Sequence, residues 1–253
     1  MSLQARRVSA MFGLDPRAGR CARRRTLRRL DRAARRLLDA LARAEAEGDG
    51  GGVGGVGGVG GVGLIIGASG TGKSTLLRRI GILAERRGVR VVRDAPAARP
   101  TSRTIDAVSG DLADRLGALA RVGLAEAAAF TRPLASLSDG ERWRLRLARL
   151  FDRARAVPSP APTSARVILL ADEFATSLDA RAARNLAWLS GRRARASGVV
   201  LLASTVRDDL AGPLDPDITA RLSRRAVRLH GPALPRELRF ETRAPVRSTR
   251  RTR

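Results

Sequence analysis

The most constraining feature of this chain is the run Gly67-Ala68-Ser69-Gly70-Thr71-Gly72-Lys73-Ser74, which directly follows the apolar triplet Leu64-Ile65-Ile66. It fits the pattern G-x-x-x-x-G-K-[ST], which makes physical sense only where a buried strand enters the loop and a helix leaves it. Glycines let the backbone wrap a phosphate, so that N–H groups and the positive end of the helix face the anion. Lys73 then bridges β- and γ-phosphates, the Ser74 hydroxyl ligates Mg²⁺, and Thr75 touches the α-phosphate. The alternative is a chance glycine-rich turn. Against it, Lys73 is the only lysine among 49 basic residues, and one lysine scattered over those positions would land here about one time in fifty. A compact ammonium suits a phosphate cradle, and a planar guanidinium does not replace it well.

Around this loop the pattern is α/β. Strands are expected at Leu64–Ile66, Val89–Val92, Val167–Ala171, Val199–Ala203, Ala226–Leu229 and Leu238–Phe240. Between them, helical spacing predicts helices from Gly72 to about Arg87, over Asp111–Val122 and Leu124–Phe130, and from Ser138 to Arg155 and Ala180 to Ala196. Alternation of this kind means a mostly parallel sheet flanked by helices, with a small helical subdomain over about 104–155. Pro96, Pro100 and the stretch Pro158–Pro162 mark loops, and the ten residues 244–253 read as a disordered basic tail.

Upstream of the loop, residues 1–47 are Arg-rich. Leu27, Leu30, Ala34, Leu37, Leu38 and Leu41 recur at helical spacing and predict an amphipathic helix over Thr26–Glu45. Its apolar side is expected to pack on the core, the other choices being a partner or an anionic surface. Residues 48–63 form a Gly-Gly-Val repeat that reads as a flexible linker, part of which could pair as a poor edge strand. The formal charge is +25, from 49 basic and 24 acidic residues. Two readings stay open: a sequence-wide preference for Arg over Lys, or contact with nucleic acid. Cys21 is the only cysteine, which excludes an intrachain disulfide framework and a thiolate metal cluster. No apolar run approaches membrane-spanning length and Met1–Ala10 lacks a signal-peptide core, so a cytoplasmic location is expected.

Two further constellations carry chemistry. The apolar run Val167–Ala171 ends in Asp172-Glu173. Placed about 100 residues after a phosphate loop, the first acid would hold Mg²⁺ through water and the second would polarise the attacking water. The segment Leu137-Ser138-Asp139-Gly140-Glu141 opens an Arg-rich helix, and Ser138 with Glu141 also forms a capping-box pattern. Trp143, Leu147, Leu150 and Phe151 share one face of that helix and are expected in the core.

The segment 137–141 resembles the LSGGQ signature of ABC ATPases, and Ser177-Leu178-Asp179 resembles their D-loop. With the phosphate loop and the paired acids, four motifs stand in that family's order, over residues 64 to about 220. More narrowly, Gly123–Ala127, Arg132-Pro133, LSDGERWRLRLAR and DEFATSLD resemble a group of little-characterised bacterial ABC ATPases often associated with an acetyltransferase-like domain; no such domain is evident in these 253 residues. The resemblance implies a P-loop NTPase fold over 64–243 that binds ATP with Mg²⁺ and hydrolyses it, with Glu173 and Lys73 catalytic. It implies a homodimer in which Ser138, Gly140 and Asp179 serve nucleotide held at the other subunit's loop 67–75.

The chain departs from that pattern in places. No histidine follows the strand Val199–Leu202, near Ser204, Thr205 or Val206, where the family carries one. The sole histidine, His230, falls in a terminal strand and reads as structural. No glutamine follows the strand Val89–Val92, Asp106 being the nearest polar substitute, and no aromatic in 40–62 is available to stack on a base. The span from phosphate loop to signature is short for gripping a membrane partner, so a transporter subunit ranks behind a soluble ATPase and behind an ATP-dependent clamp on nucleic acid or a ribosomal surface.

Overall fold

The computed structural model describes residues 16–47, 60–93, 99–155, 167–231, 234 and 238–241. The predicted tail and the loops around Pro96 and Pro158–Pro162 lie outside them, as does most of the glycine repeat. Seven strands form one sheet: β1 (Gly61–Gly67), β2 (Arg90–Val92), β3 (Val167–Ala171), β4 (Val199–Thr205), β5 (Ile218–Leu222), β6 (Ala226–His230) and β7 (Leu238–Glu241). Their order is β2-β3-β4-β1-β5-β6-β7. The five strands β2 to β5 in that order run parallel, and β6 and β7 add an antiparallel edge.

Helices cover both faces: α1 (Pro16–Glu47), α2 (Lys73–Arg86), α3 (Leu112–Ala120), α4 (Ala127–Thr131), α5 (Asp139–Arg155), α6 (Ala180–Ala196) and the short α7 (Ala211–Leu214). Strand alternation divides the core in two. Leu64, Leu169 and Leu201 face Leu147, Phe151, Phe174 and Leu186, whereas Ile65, Ile168 and Leu202 face α1 and α2. Burial on both sides explains why β1, β3 and β4 read as continuous apolar runs. Between β2 and β3, residues 99–155 supply helices and one isolated bridge, Arg103 with Pro133, and no ladder strand.

The N-terminal helix is longer than its apolar spacing predicts, and it is a layer of the domain. Leu30, Ala33, Ala34, Leu37 and Leu41 are buried against Leu76 and Ile80 of α2 and against β5 and β6. Arg29 is 1% exposed, and its Nη1 donates to the Arg224 carbonyl at 3.0 Å, tying α1 to the turn between β5 and β6.

Three expectations are corrected. Gly61–Gly63, read as linker, belong to β1, which is the central strand and no edge strand. Glycine serves there for close approach: a Cβ on Gly60 would stand 2.2 Å from the Ala194 carbonyl oxygen, and one on Gly63 would stand 2.4 Å from Leu202 Cδ2. The intervening Val62 is fully buried, its N–H donating to Asp217 Oδ2 at 2.6 Å. Strand β5 was not expected, because Pro213, Asp215 and Pro216 make the region read as loop and Arg221 breaks its apolar run. Finally, α4 begins at Ala127 and not Leu124, since Gly123 takes φ 78° and the Leu124 N–H closes back on the Leu119 carbonyl at 3.0 Å.

Gly60→Ala is therefore expected to lower unfolding stability by about 1–3 kcal/mol, since a backbone oxygen blocks the methyl and cannot rotate away. Gly212→Ala, where no atom lies within 4 Å, is the matched control and should fall within about 0.5 kcal/mol of the parent in the same urea titration.

Candidate functional site

The parallel register brings three loops to one edge of the sheet. Ile66 pairs with Thr205 and Ala171 with Ala203, so the loop after β1, the turn after β3 and the end of β4 meet. Ligands of open α/β sheets bind beyond the carboxyl ends of the strands for this topological reason. Here the edge holds a cleft of about 480 Å³ lined by Ser69, Gly70, Gly72, Lys73, Ser74, Thr75, Asp172, Glu173, Thr176, Thr205 and Val206.

The first wall is the glycine loop. Gly70 and Gly72 have φ of 74° and 102°, left-handed values that a side chain would oppose, and Gly72 caps α2. Helix α2 thus starts at Lys73 with its first N–H groups turned to the cleft. Lys73 is 9% exposed, and its Nζ donates to the carbonyls of Gly67 at 2.8 Å and Ala68 at 3.0 Å. The buried Thr71 hydroxyl donates to the Ala68 carbonyl at 2.8 Å. Gly67, Ala68 and Thr71 therefore shape the loop from behind, whereas Ser69, Gly70, Gly72, Lys73, Ser74 and Thr75 face the cleft.

The second wall is the acidic turn. Glu173 and Ala175 take φ of 55° and 54°, conformations that non-glycine residues occupy at a cost of about 1–2 kcal/mol each. Ser204 holds them in place. It is fully buried, its hydroxyl donates to Asp172 Oδ1, and its carbonyl accepts from the Phe174 N–H at 2.6 Å. The Glu173 N–H donates to Asp172 Oδ1 at 3.1 Å, and the Thr205 hydroxyl donates to the Phe174 carbonyl at 3.0 Å. Below the turn, Trp143 of α5 meets the Phe174 ring edge-on, with centroids 5.0 Å apart. Their place at the end of an apolar strand, after a phosphate loop, points to Asp172 and Glu173; the role of Ser204 carries no such signal.

The donor set suits a small hard cation. Ser74 and Asp172 offer a hydroxyl and a carboxylate across one cleft, and such an ion usually completes its shell with water and phosphate oxygens. No cluster of three His, Cys, Asp or Glu stands among the described residues, so these two would not hold a metal tightly without a polyphosphate beside them.

Other expected residues lie apart from the cleft. Ser138 and Glu141 form the reciprocal capping box of α5: the Ser138 N–H donates to Glu141 Oε2 at 2.8 Å and the Glu141 N–H to Ser138 Oγ at 3.3 Å. Glu141 also pairs with Arg132. Gly140 packs where a Cβ would stand 2.9 Å from Leu178 Cδ2, so the 137–141 segment rests directly on the 177–179 turn. Asp179 caps α6, accepting from the Ala182 N–H at 2.8 Å. Asp106 is bound to Arg115 at 3.0 Å and does not reach the cleft, which removes it as a stand-in for the missing glutamine. Thr205 lines the cleft, but its hydroxyl is committed to Phe174, so Val206, half exposed, is the side chain presented there.

Among solved structures, the chain resembles the dimeric post-hydrolysis state of the ATP-binding cassette MJ0796 bound to ADP and Pi. The match has TM-score 0.49 and 19% identity, over 75% of this chain and 88% of that one. It also resembles the ADP conformation of MJ1267, an ATP-binding cassette of an ABC transporter, with TM-score 0.46 and 15% identity over 66% and 78%. No protein-family model and no curated protein matches the sequence.

The Ser138 N–H, followed by Arg132, holds the Glu141 carboxyl below its usual range. A depressed folded-state pKa contributes stability above the unfolded value, and that stability is lost as pH falls through the folded value. Glu141→Gln should therefore cost about 1–2 kcal/mol at pH 7 by chemical denaturation. The gap to the parent should close in acid, once Glu141 itself is protonated; a gap constant down to pH 2 would contradict the assignment.

Proposed function

We propose that this chain binds ATP with Mg²⁺ at residues 67–75 and hydrolyses it as an ABC-type ATPase. The observation that carries the reading is the convergence of Lys73, Ser74, Asp172 and Glu173 on one cleft from loops about 100 residues apart. Backbone N–H groups at the start of α2 and the Lys73 ammonium hold the β- and γ-phosphate oxygens. Lys73 is kept at the loop by the carbonyls of Gly67 and Ala68, and needs only to exchange those bonds for phosphate oxygens. Mg²⁺, held by Ser74 and by Asp172 through water, would neutralise charge on the same phosphates. Glu173 stands at the cleft with its carboxylate available to accept the proton of a water attacking the γ-phosphorus. Left-handed backbone at Glu173 is the kind of strained geometry that a functional position maintains.

Two features refine the proposal. Ser138, Gly140 and Asp179 line no part of their own chain's cleft, which supports a head-to-tail homodimer in which they approach the partner's nucleotide. A helix N-terminus with a capping serine suits a γ-phosphate. Val206, standing where an imidazole would help position the water, supports slow turnover.

Lys73→Ala should weaken ATP binding by at least about 100-fold in a fluorescent-nucleotide titration. Glu173→Gln should retain binding and lose about 10²–10⁴-fold in single-turnover hydrolysis. With Mg²⁺ and ATP it should run as a dimer in light scattering. Equal hydrolysis by Glu173→Gln and the parent would remove the base, and an ATP-independent monomer would remove the sandwich.

A further inference from the structure

Helix α1 is seated on the core by Leu30, Ala33, Leu37 and Leu41, which leaves one long face outward. At 100° per residue, Arg24, Arg25, Arg28, Arg32, Arg35, Arg36 and Arg43 fall within an arc of about 120°, over a length of about 28 Å. All seven are exposed, and none makes a hydrogen bond or ion pair with a described residue. Asp31 and Asp39 of the helix do not neutralise them: they turn to Arg79 of α2 and to Arg87 at its C-terminal cap, at 3.3 and 2.9 Å.

A sequence-wide taste for arginine does not account for this arrangement. Helix α5 is as Arg-rich, yet its arginines are engaged. Arg142 meets Asp139, Arg144 the Gly123 carbonyl and Arg155 Asp114, while Arg146, Arg149 and Arg153 have partners as well. Other exposed arginines without a side-chain hydrogen bond or ion pair, such as Arg78, Arg86, Arg121, Arg181 and Arg184, stand in ones and twos, whereas α1 carries seven on one face.

We infer that the outer face of α1 binds the phosphate backbone of duplex DNA. Over about 28 Å a B-form duplex presents about 16 phosphates, at one per 1.7 Å of axis, which outnumbers and can engage every arginine of the arc. The wide major groove of B-DNA admits a helical ridge with phosphates on both rims, whereas the narrow groove of an RNA duplex does not. An anionic membrane is the weaker fit: lasting surface binding requires apolar insertion, and every apolar side chain that anchors α1 is already in the core. The same face shows no aromatic on which unpaired bases could stack, so single strands hold no advantage. Contacts limited to phosphates make the binding independent of sequence and steeply salt-dependent.

The test uses the full chain without nucleotide, so it stands apart from the ATPase proposal. Anisotropy of a labelled 30-base-pair DNA is followed from 50 to 200 mM salt, alongside the matching RNA duplex, a single strand and anionic phosphatidylserine vesicles. Arg28→Gln/Arg32→Gln/Arg35→Gln keeps helix propensity and should weaken DNA binding at least about tenfold. It should reduce the salt slope by about 2.7, at about 0.9 per phosphate contact. Arg181→Gln/Arg184→Gln/Arg192→Gln on the exposed face of α6 removes the same charge and should stay within about twofold of the parent. An equal loss in both triple variants would reduce the effect to net charge and overturn the assignment. So would failure of the parent to bind DNA, or tighter binding to RNA or vesicles. Unchanged circular dichroism of both variants ensures that lost binding is not lost folding.

Discussion

Everything at the cleft depends on the register of three parallel strands. Because Ala171 stands beside Ala203 and Ile66 beside Thr205, the residues that follow β3 and β1 arrive next to Ser204 and Thr205. A shift of one residue would turn Ser204 away from Asp172 and leave its hydroxyl buried without an acceptor, a loss of about 1–3 kcal/mol. It would also drive Leu202 into β1, which tolerates that neighbour only at Gly63. Steric fit at a glycine and a buried hydrogen bond thus select the same register. The charge-bearing loops inherit their positions from it.

That register also maintains the acidic turn against its own strain. The cost of left-handed backbone at Glu173 and Ala175 is set against the bonds from Ser204 and Thr205 and the packing of Phe174 on Trp143. Trp143 belongs to α5, whose first turn carries Ser138 and Glu141 and rests on Leu178 through Gly140. The acidic turn and the N-terminus of α5 are therefore mechanically continuous. Displacing either one would disturb the edge-on ring pair and the Gly140 contact together, and packed aromatic contacts of this kind do not deform gradually.

The readability of the sequence tracked where its physics was local. The phosphate loop, the paired acids, the capping box and the buried strands were legible because each is specified within a few residues. The reading failed at residues 61–63, where glycine composition signals mobility but the need is for flush packing against Ala194 and Leu202. It failed at β5 because Thr219 and Arg221 alternate with buried Ile218, Ala220 and Leu222 behind a turn-like prefix. Ser204 carried no signal at all, since its importance comes from a partner 32 residues away in sequence. Asp106 was drawn toward the site by proximity in the chain, and its ion pair with Arg115 holds it elsewhere.

Charge poses the last structural question, since a chain at +25 must fold against its own repulsion. Part of the scaffold resolves this locally. Arg155 binds Asp114, Arg207 binds Asp209, and Arg195 reaches Asp217, so acids stand beside some of the basic side chains at short range. On α1 the solution differs: Asp31 and Asp39 are spent on Arg79 and Arg87, and seven arginines are left along one face, those from Arg24 to Arg36 within about a turn of one another and inside a screening length of about 8 Å. Those charges oppose one another in the free protein and lose that opposition when phosphates intervene. The helix can sustain the repulsion because its other side is anchored by leucines against β1 and α2, so hydrophobic burial holds in place a face that electrostatics alone would disperse.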